Sequence, residues 1–123
     1  MEKIELEYEI KTSPRILYKM ISTDEGLQQW FAKKVKITKD SYTFDWDGTT
    51  EVAKLLGMKE NDHVKFRFAN KPDHTFMEFK IKVDDLTKDV ALLVVDFVDP
   101  DEKNETKELW NKQIEDLMEA IGL

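Results

Sequence analysis

An alternating strand and a proline-led helix open this chain, one long amphipathic helix closes it, and strand-like segments fill the space between. That frame allows few folds. Parallel strands need crossover connections of about a dozen residues or more, usually helical, and the middle of this chain has none. Its strands must therefore pair antiparallel. The closing helix then has only that sheet on which to bury its apolar stripe. At 123 residues the chain reads as a single domain, 1–123, of α+β class. The expected architecture is a curved antiparallel sheet wrapped around a long C-terminal helix, with two short helices after the first strand.

The segments can be placed by their periods. Ile4, Leu6, Tyr8 and Ile10 alternate with Glu5, Glu7 and Glu9, the period-two pattern of a half-buried strand. Ser13-Pro14 starts a helix, with a hydroxyl at the cap and proline in the first turn. Ile16, Leu17, Met20 and Ile21 follow at helical spacing. Thr23 caps a second short helix, with Leu27, Trp30 and Phe31 as its buried residues. Strands follow at Val35 and Ile37 and at Tyr42, Phe44 and Trp46, and Asp47-Gly48 reads as a hairpin turn. The segment from Glu51 to Met58 fits a helix or a strand. Val64, Phe66 and Phe68 make one strand, and Met77, Phe79, Ile81 and Val83 another. Val90 to Val95 is a continuous apolar run, which implies a strand covered on both faces or a contact in a homodimer. From about Glu102 to Ile121 the pattern is helical, with a stripe of Leu109, Trp110, Ile114, Leu117, Met118 and Ile121.

Two of these segments carry a resemblance. Ile10 to Phe31 runs through Ser13-Pro14 to Asp24-Glu25-Gly26-Leu27-Gln28-Gln29-Trp30-Phe31 and resembles the opening of START-like proteins. These form the helix-grip (SRPBCC) superfamily, which includes polyketide cyclases, plant pollen allergens and bacterial relatives of the chaperone-ATPase activator. Glu108-Leu109-Trp110 with Ile114, Leu117 and Ile121 resembles the family's closing helix. The order of elements is most similar to that of the short bacterial START-like domain proteins related to those activator homologues.

The resemblance implies a cradle between sheet and closing helix, and with it a non-enzymatic domain that binds a small hydrophobic ligand such as a lipid. The expected apolar contacts are Trp46, Phe66, Phe68, Phe79, Leu93, Trp110, Ile114 and Leu117. Aromatic residues at so many of these positions also allow a filled core. The chain would then be a protein-interaction module of the chaperone-activator type. A hydrolase or cyclase is the third reading.

Charge and motifs narrow the field further. The formal charge of -7 disfavours nucleic acid and anionic lipid surfaces as partners. The chain has no cysteine, and no apolar stretch approaches the ~18 residues of a membrane span. Met1 is followed by alternating glutamates rather than a basic and then apolar leader, so a cytoplasmic location is expected. Asp45-Trp46-Asp47-Gly48-Thr49 matches the Asp-x-Asp-Gly-Thr signature of Mg²⁺-dependent phosphatases. That chemistry needs a parallel sheet, so the motif is read as a turn. His63 and His74 have no nearby nucleophile and are read as surface residues, and no cofactor motif stands out.

Overall fold

Short turns and period-two strands dictate the layout. The computed structural model describes residues 1–123. β1 (Glu2–Glu9) leads into α1 (Pro14–Ser22) and α2 (Asp24–Leu27). Six strands follow: β2 (Lys34–Thr38), β3 (Ser41–Trp46), β4 (Thr49–Lys59), β5 (His63–Phe68), β6 (Met77–Val83) and β7 (Val90–Val98). A 3₁₀ turn at Pro100–Glu102 precedes α3 (Lys103–Ile121). All seven strands form one antiparallel sheet in the order β1-β7-β6-β5-β4-β3-β2. The curved sheet on one side and the helices α1, α2 and α3 on the other enclose a single hydrophobic core of 24 buried residues.

The local signals act as their chemistry requires. Ser13 Oγ accepts the Ile16 N–H at 3.2 Å, and Thr23 Oγ1 accepts the Gly26 N–H at 2.9 Å, so both short helices are capped. Between β3 and β4, Asp47 at φ 27° and Gly48 at φ 99° make the tight turn that joins two antiparallel strands. The side chain of Asp47 is almost fully solvated and Asp45 lies in the β3 ladder opposite Lys34, as the turn reading requires.

One open reading is resolved, and two details differ from expectation. The ambiguous segment is a strand, β4, and its pairing with β5 slips at Leu55/Gly57. The extra residue breaks the alternation, which is why the sequence there also suits a helix. Leu109 is 64% exposed although it belongs to the apolar stripe of α3. It neighbours Trp110, and only one of two residues about 100° apart on a helix can face the sheet. Val83, at the end of β6, is exposed too.

The turn between β4 and β5 holds a local polar pair. His63 Nδ1 and Asp62 Oδ2 are 2.6 Å apart. That hydrogen bond, helped by the charges of His63, Lys59 and Lys80, holds the Asp62 carboxyl below its ordinary pKa against a smaller desolvation effect. A carboxylate with a depressed folded pKa adds stability above its unfolded value and loses it as pH falls through the folded value. The stability difference between the native chain and Asp62→Asn should therefore be largest at neutral pH and shrink below about pH 4. Urea titrations from about pH 6 to about pH 2 would show it, and a pH-independent difference would refute the pairing.

Candidate binding site between the sheet and the closing helix

The end of α1 sets the geometry. Its last carbonyls accept side-chain donors, from the cap residue and from further along the chain. Lys19 O accepts from Thr23 Oγ1 at 2.7 Å, Met20 O from Trp30 Nε1 at 2.8 Å, and Ser22 O from Tyr42 Oη at 2.9 Å. Gly26 lets α2 approach this end. A Cβ at position 26 would lie 2.1 Å from Lys19 O and 2.7 Å from Met20 Cα. Burial raises the Tyr42 phenol pKa, with smaller contributions from Tyr18 and Asp24, so Tyr42 remains a neutral donor at physiological pH. The Gly-Leu-x-x-Trp run is thus a clasp. Gly26 gives the close approach, Leu27 is fully buried, and Trp30 bonds back to α1.

The clasp delivers Phe31 to the centre of the space beneath α3. Its ring centroid lies 5.1 Å from Phe44, 5.4 Å from Trp46 and 5.7 Å from Phe79, all in edge-to-face contact, and it stacks on Trp110 at 6.0 Å. The Phe31 carbonyl accepts from Trp46 Nε1 at 2.6 Å and from Gln113 Nε2 at 3.3 Å. One residue therefore ties α2, β3 and α3 together. The sequence marks Phe31 as buried, but not as this hub. It lies in a turn, where no period reveals which way a side chain points.

The expected contact residues separate into three groups. Phe66, Phe79, Ile114 and Leu117 are buried in the core, where Phe66 and Phe79 also touch each other. Trp46, Phe68 and Trp110 stand where the interior opens toward solvent. Leu93 is a correction. It lies on the opposite face of β7, paired with Glu7 and Lys80, while Leu92 and Val94 point into the core. In an unbroken apolar run the sequence does not reveal which parity faces inward.

Two spaces remain. A crevice of about 210 Å³ lies between Trp46, Phe68, Met77 and Trp110, with Glu51, Lys71 and Asp96 at its polar side. Trp110 Nε1 donates to Asp96 Oδ2 at 3.0 Å, and Lys71 Nζ is 4.0 Å from Asp96. The second space, about 750 Å³, is an open surface groove between the segment Gln28 to Lys33 and α3, with exposed Leu109 on its edge. Pockets that enclose drug-sized ligands run to roughly 300–1,000 Å³. The crevice is smaller than that, and both it and the larger groove are open to solvent. No helix is long and apolar enough to cross a membrane.

Comparisons with known proteins agree with this architecture. The family model described as a START-like superfamily domain matches residues 1–123. Among solved structures, BfR322 from Bacteroides fragilis is 35% identical over 99% of this chain and 92% of its own, with a TM-score of 0.67. The Aha1 dimer from Colwellia psychrerythraea is 20% identical over 98% of this chain and 96% of its own, at a TM-score of 0.81. MLL2253 from Mesorhizobium loti is 13% identical over 98% and 96%, at 0.79. These last two share the fold at identities too low to show more. A search of curated proteins finds no match. With every residue inside the family model, and with the clasp, the curved sheet and the closing helix all in place, the chain belongs to the START-like superfamily.

Proposed function

We propose that this START-like domain is a non-enzymatic, cytoplasmic protein-interaction module whose cradle is filled by its own side chains. Domains of this fold bind hydrophobic ligands or mediate protein interaction. The position of Phe31 carries the choice between the two. Its ring touches Phe44, Trp46, Phe79 and Trp110 and fills the centre, where a ligand would have to sit. The Aha1 relative is described as a dimer, which supports association, including self-association, as the working mode of such a domain.

The crevice favours a second reading, a small apolar ligand held against Phe68 and Trp110. A hydrolase or cyclase has less support. The crevice's Asp96 is already committed to Trp110 Nε1 and to the Phe97 N–H.

Native mass spectrometry of the purified protein, with a thermal-shift screen of fatty acids, sterols and planar aromatics, separates these readings. The interaction reading expects the chain, as monomer or self-associated, with no added ligand mass and no thermal shift. A ligand at a hundredfold excess over its Kd would stabilise the fold by about 2.7 kcal/mol, which is readily seen. A co-purifying compound, or a hit weakened by Phe68→Ala but not by Lys80→Ala, would overturn the interaction reading and establish the ligand site.

A further inference from the structure

Although the chain carries a net charge of -7, its cations are not spread evenly. On the outer face of the sheet Lys54 pairs directly with Arg67, and His63 lies between Lys59 and Lys80 in the ladder. Lys65 projects from the same face, its Nζ 4.1 Å from the centre of the Phe76 ring. Two carboxylates stand among them: Glu78, opposite Lys65, and Asp62, which is bonded to His63 and feels the charges of Lys59 and Lys80. Like most cations of the chain, Lys54, Lys59, Lys65, Arg67 and Lys80 make no ion pair. Like charges placed directly across a strand pair are unfavourable. Arg67 carries a second unfavourable feature, because its Nε is buried and has no hydrogen-bond partner. A carboxylate from outside would relieve the first.

The same face offers room and apolar surface. Lys54, Arg67 and Lys71 line a hollow of about 500 Å³ with Val52 and Ala69, and Asp40 and Asp73 line it too. Val52 is 44% exposed and Leu56 36% exposed. Cations interleaved with exposed aliphatic side chains suit a peptide better than a phosphate backbone. A long polyanion would also run beyond β7 onto the Glu5, Glu7 and Glu9 side of β1. The net charge would repel it as a whole.

We propose that the outer face of β4, β5 and β6 docks an acidic segment of a partner protein, with a carboxylate against Lys54 and Arg67 and an apolar side chain on Val52. This names the surface and the partner class for the interaction reading above, and rests on it.

The probe is a fluorescein-labelled peptide of Glu and Asp about a central Leu, followed by fluorescence anisotropy. Saturable binding that weakens with added salt is expected. Lys54→Glu with Arg67→Glu should weaken it by about tenfold or more, and Lys11→Glu, away from this face, should leave it unchanged. Lys54→Glu alone, at an exposed position, guards against misfolding of the double variant, and melting curves confirm the fold. Absence of binding, or binding insensitive to Lys54→Glu, overturns the proposal. So does tighter binding of a single-stranded oligonucleotide of equal charge. If the peptide fails while native mass spectrometry shows no added ligand mass, this face falls and the interaction reading stands. If an apolar compound co-purifies, the interaction reading itself falls.

Discussion

Replacing Phe31 by Ala should lower the free energy of unfolding by about 3–5 kcal/mol in a urea titration, toward the upper end of that range. The substitution removes the ring but leaves the backbone carbonyl, which still binds Trp46 Nε1 and Gln113 Nε2. Those bonds hold β3 and α3 at their present separation, so the walls cannot close over the void. The cost of a large-to-small change rises with the cavity that remains. The new space would join the 210 Å³ crevice, whose lining already includes Phe31. Phe31→Ala should therefore also respond to small apolar compounds that leave the native melting temperature unchanged. A stability loss under about 1 kcal/mol, with no gain of binding, would mean that neighbouring rings fill the gap and that Phe31 is not the plug.

Gly26→Ala should cost about 2–3 kcal/mol, the overpacking range, and lower Tm by about 10 °C. The obstruction at 2.1 Å is the Lys19 carbonyl, part of the backbone rather than a flexible side chain. Moving it would disturb the last turn of α1, where Thr23, Trp30 and Tyr42 are all bonded. Gly48→Ala is the comparison. Position 48 has φ 99° but nothing within 4 Å of an added Cβ, so only backbone strain of about 1–2 kcal/mol is expected. If the two variants melt together, the close approach at Gly26 is not what fixes α2 against α1.

Much of the fold was legible because local chemistry and global layout agree. Ser13, Thr23 and Asp47-Gly48 mark helix starts and a hairpin by mechanisms confined to a few residues. The strands announced themselves wherever one face is wet. Leu93 failed for the complementary reason. Neither parity of Val90 to Val95 is strongly polar, so the inward side depends on the register with β1 and β6. The β4 slip at Leu55/Gly57 interrupts the period on which the reading relied. At the site, Phe66, Phe79, Ile114 and Leu117 were found as inward residues, but whether they line a cavity or fill one depends on Phe31. The outer basic face was hidden because Lys54, Lys65, Arg67 and Lys80 are scattered in sequence and meet only through strand pairing.

The strand order also governs how the chain can fold as it is made. β2 to β7 are successive neighbours, so each new strand finds its partner already synthesised. β1 is different, because it pairs with β7 from Glu2↔Val98 to Glu9↔Ala91. Made before the other six strands of this sheet, β1 must wait for the last of them. Until then Ile4, Leu6 and Tyr8 have no sheet to join, and an unpaired apolar strand is a hazard for association between nascent chains. Glu5, Glu7 and Glu9, alternating with those side chains, give the waiting strand a charge that keeps like copies apart.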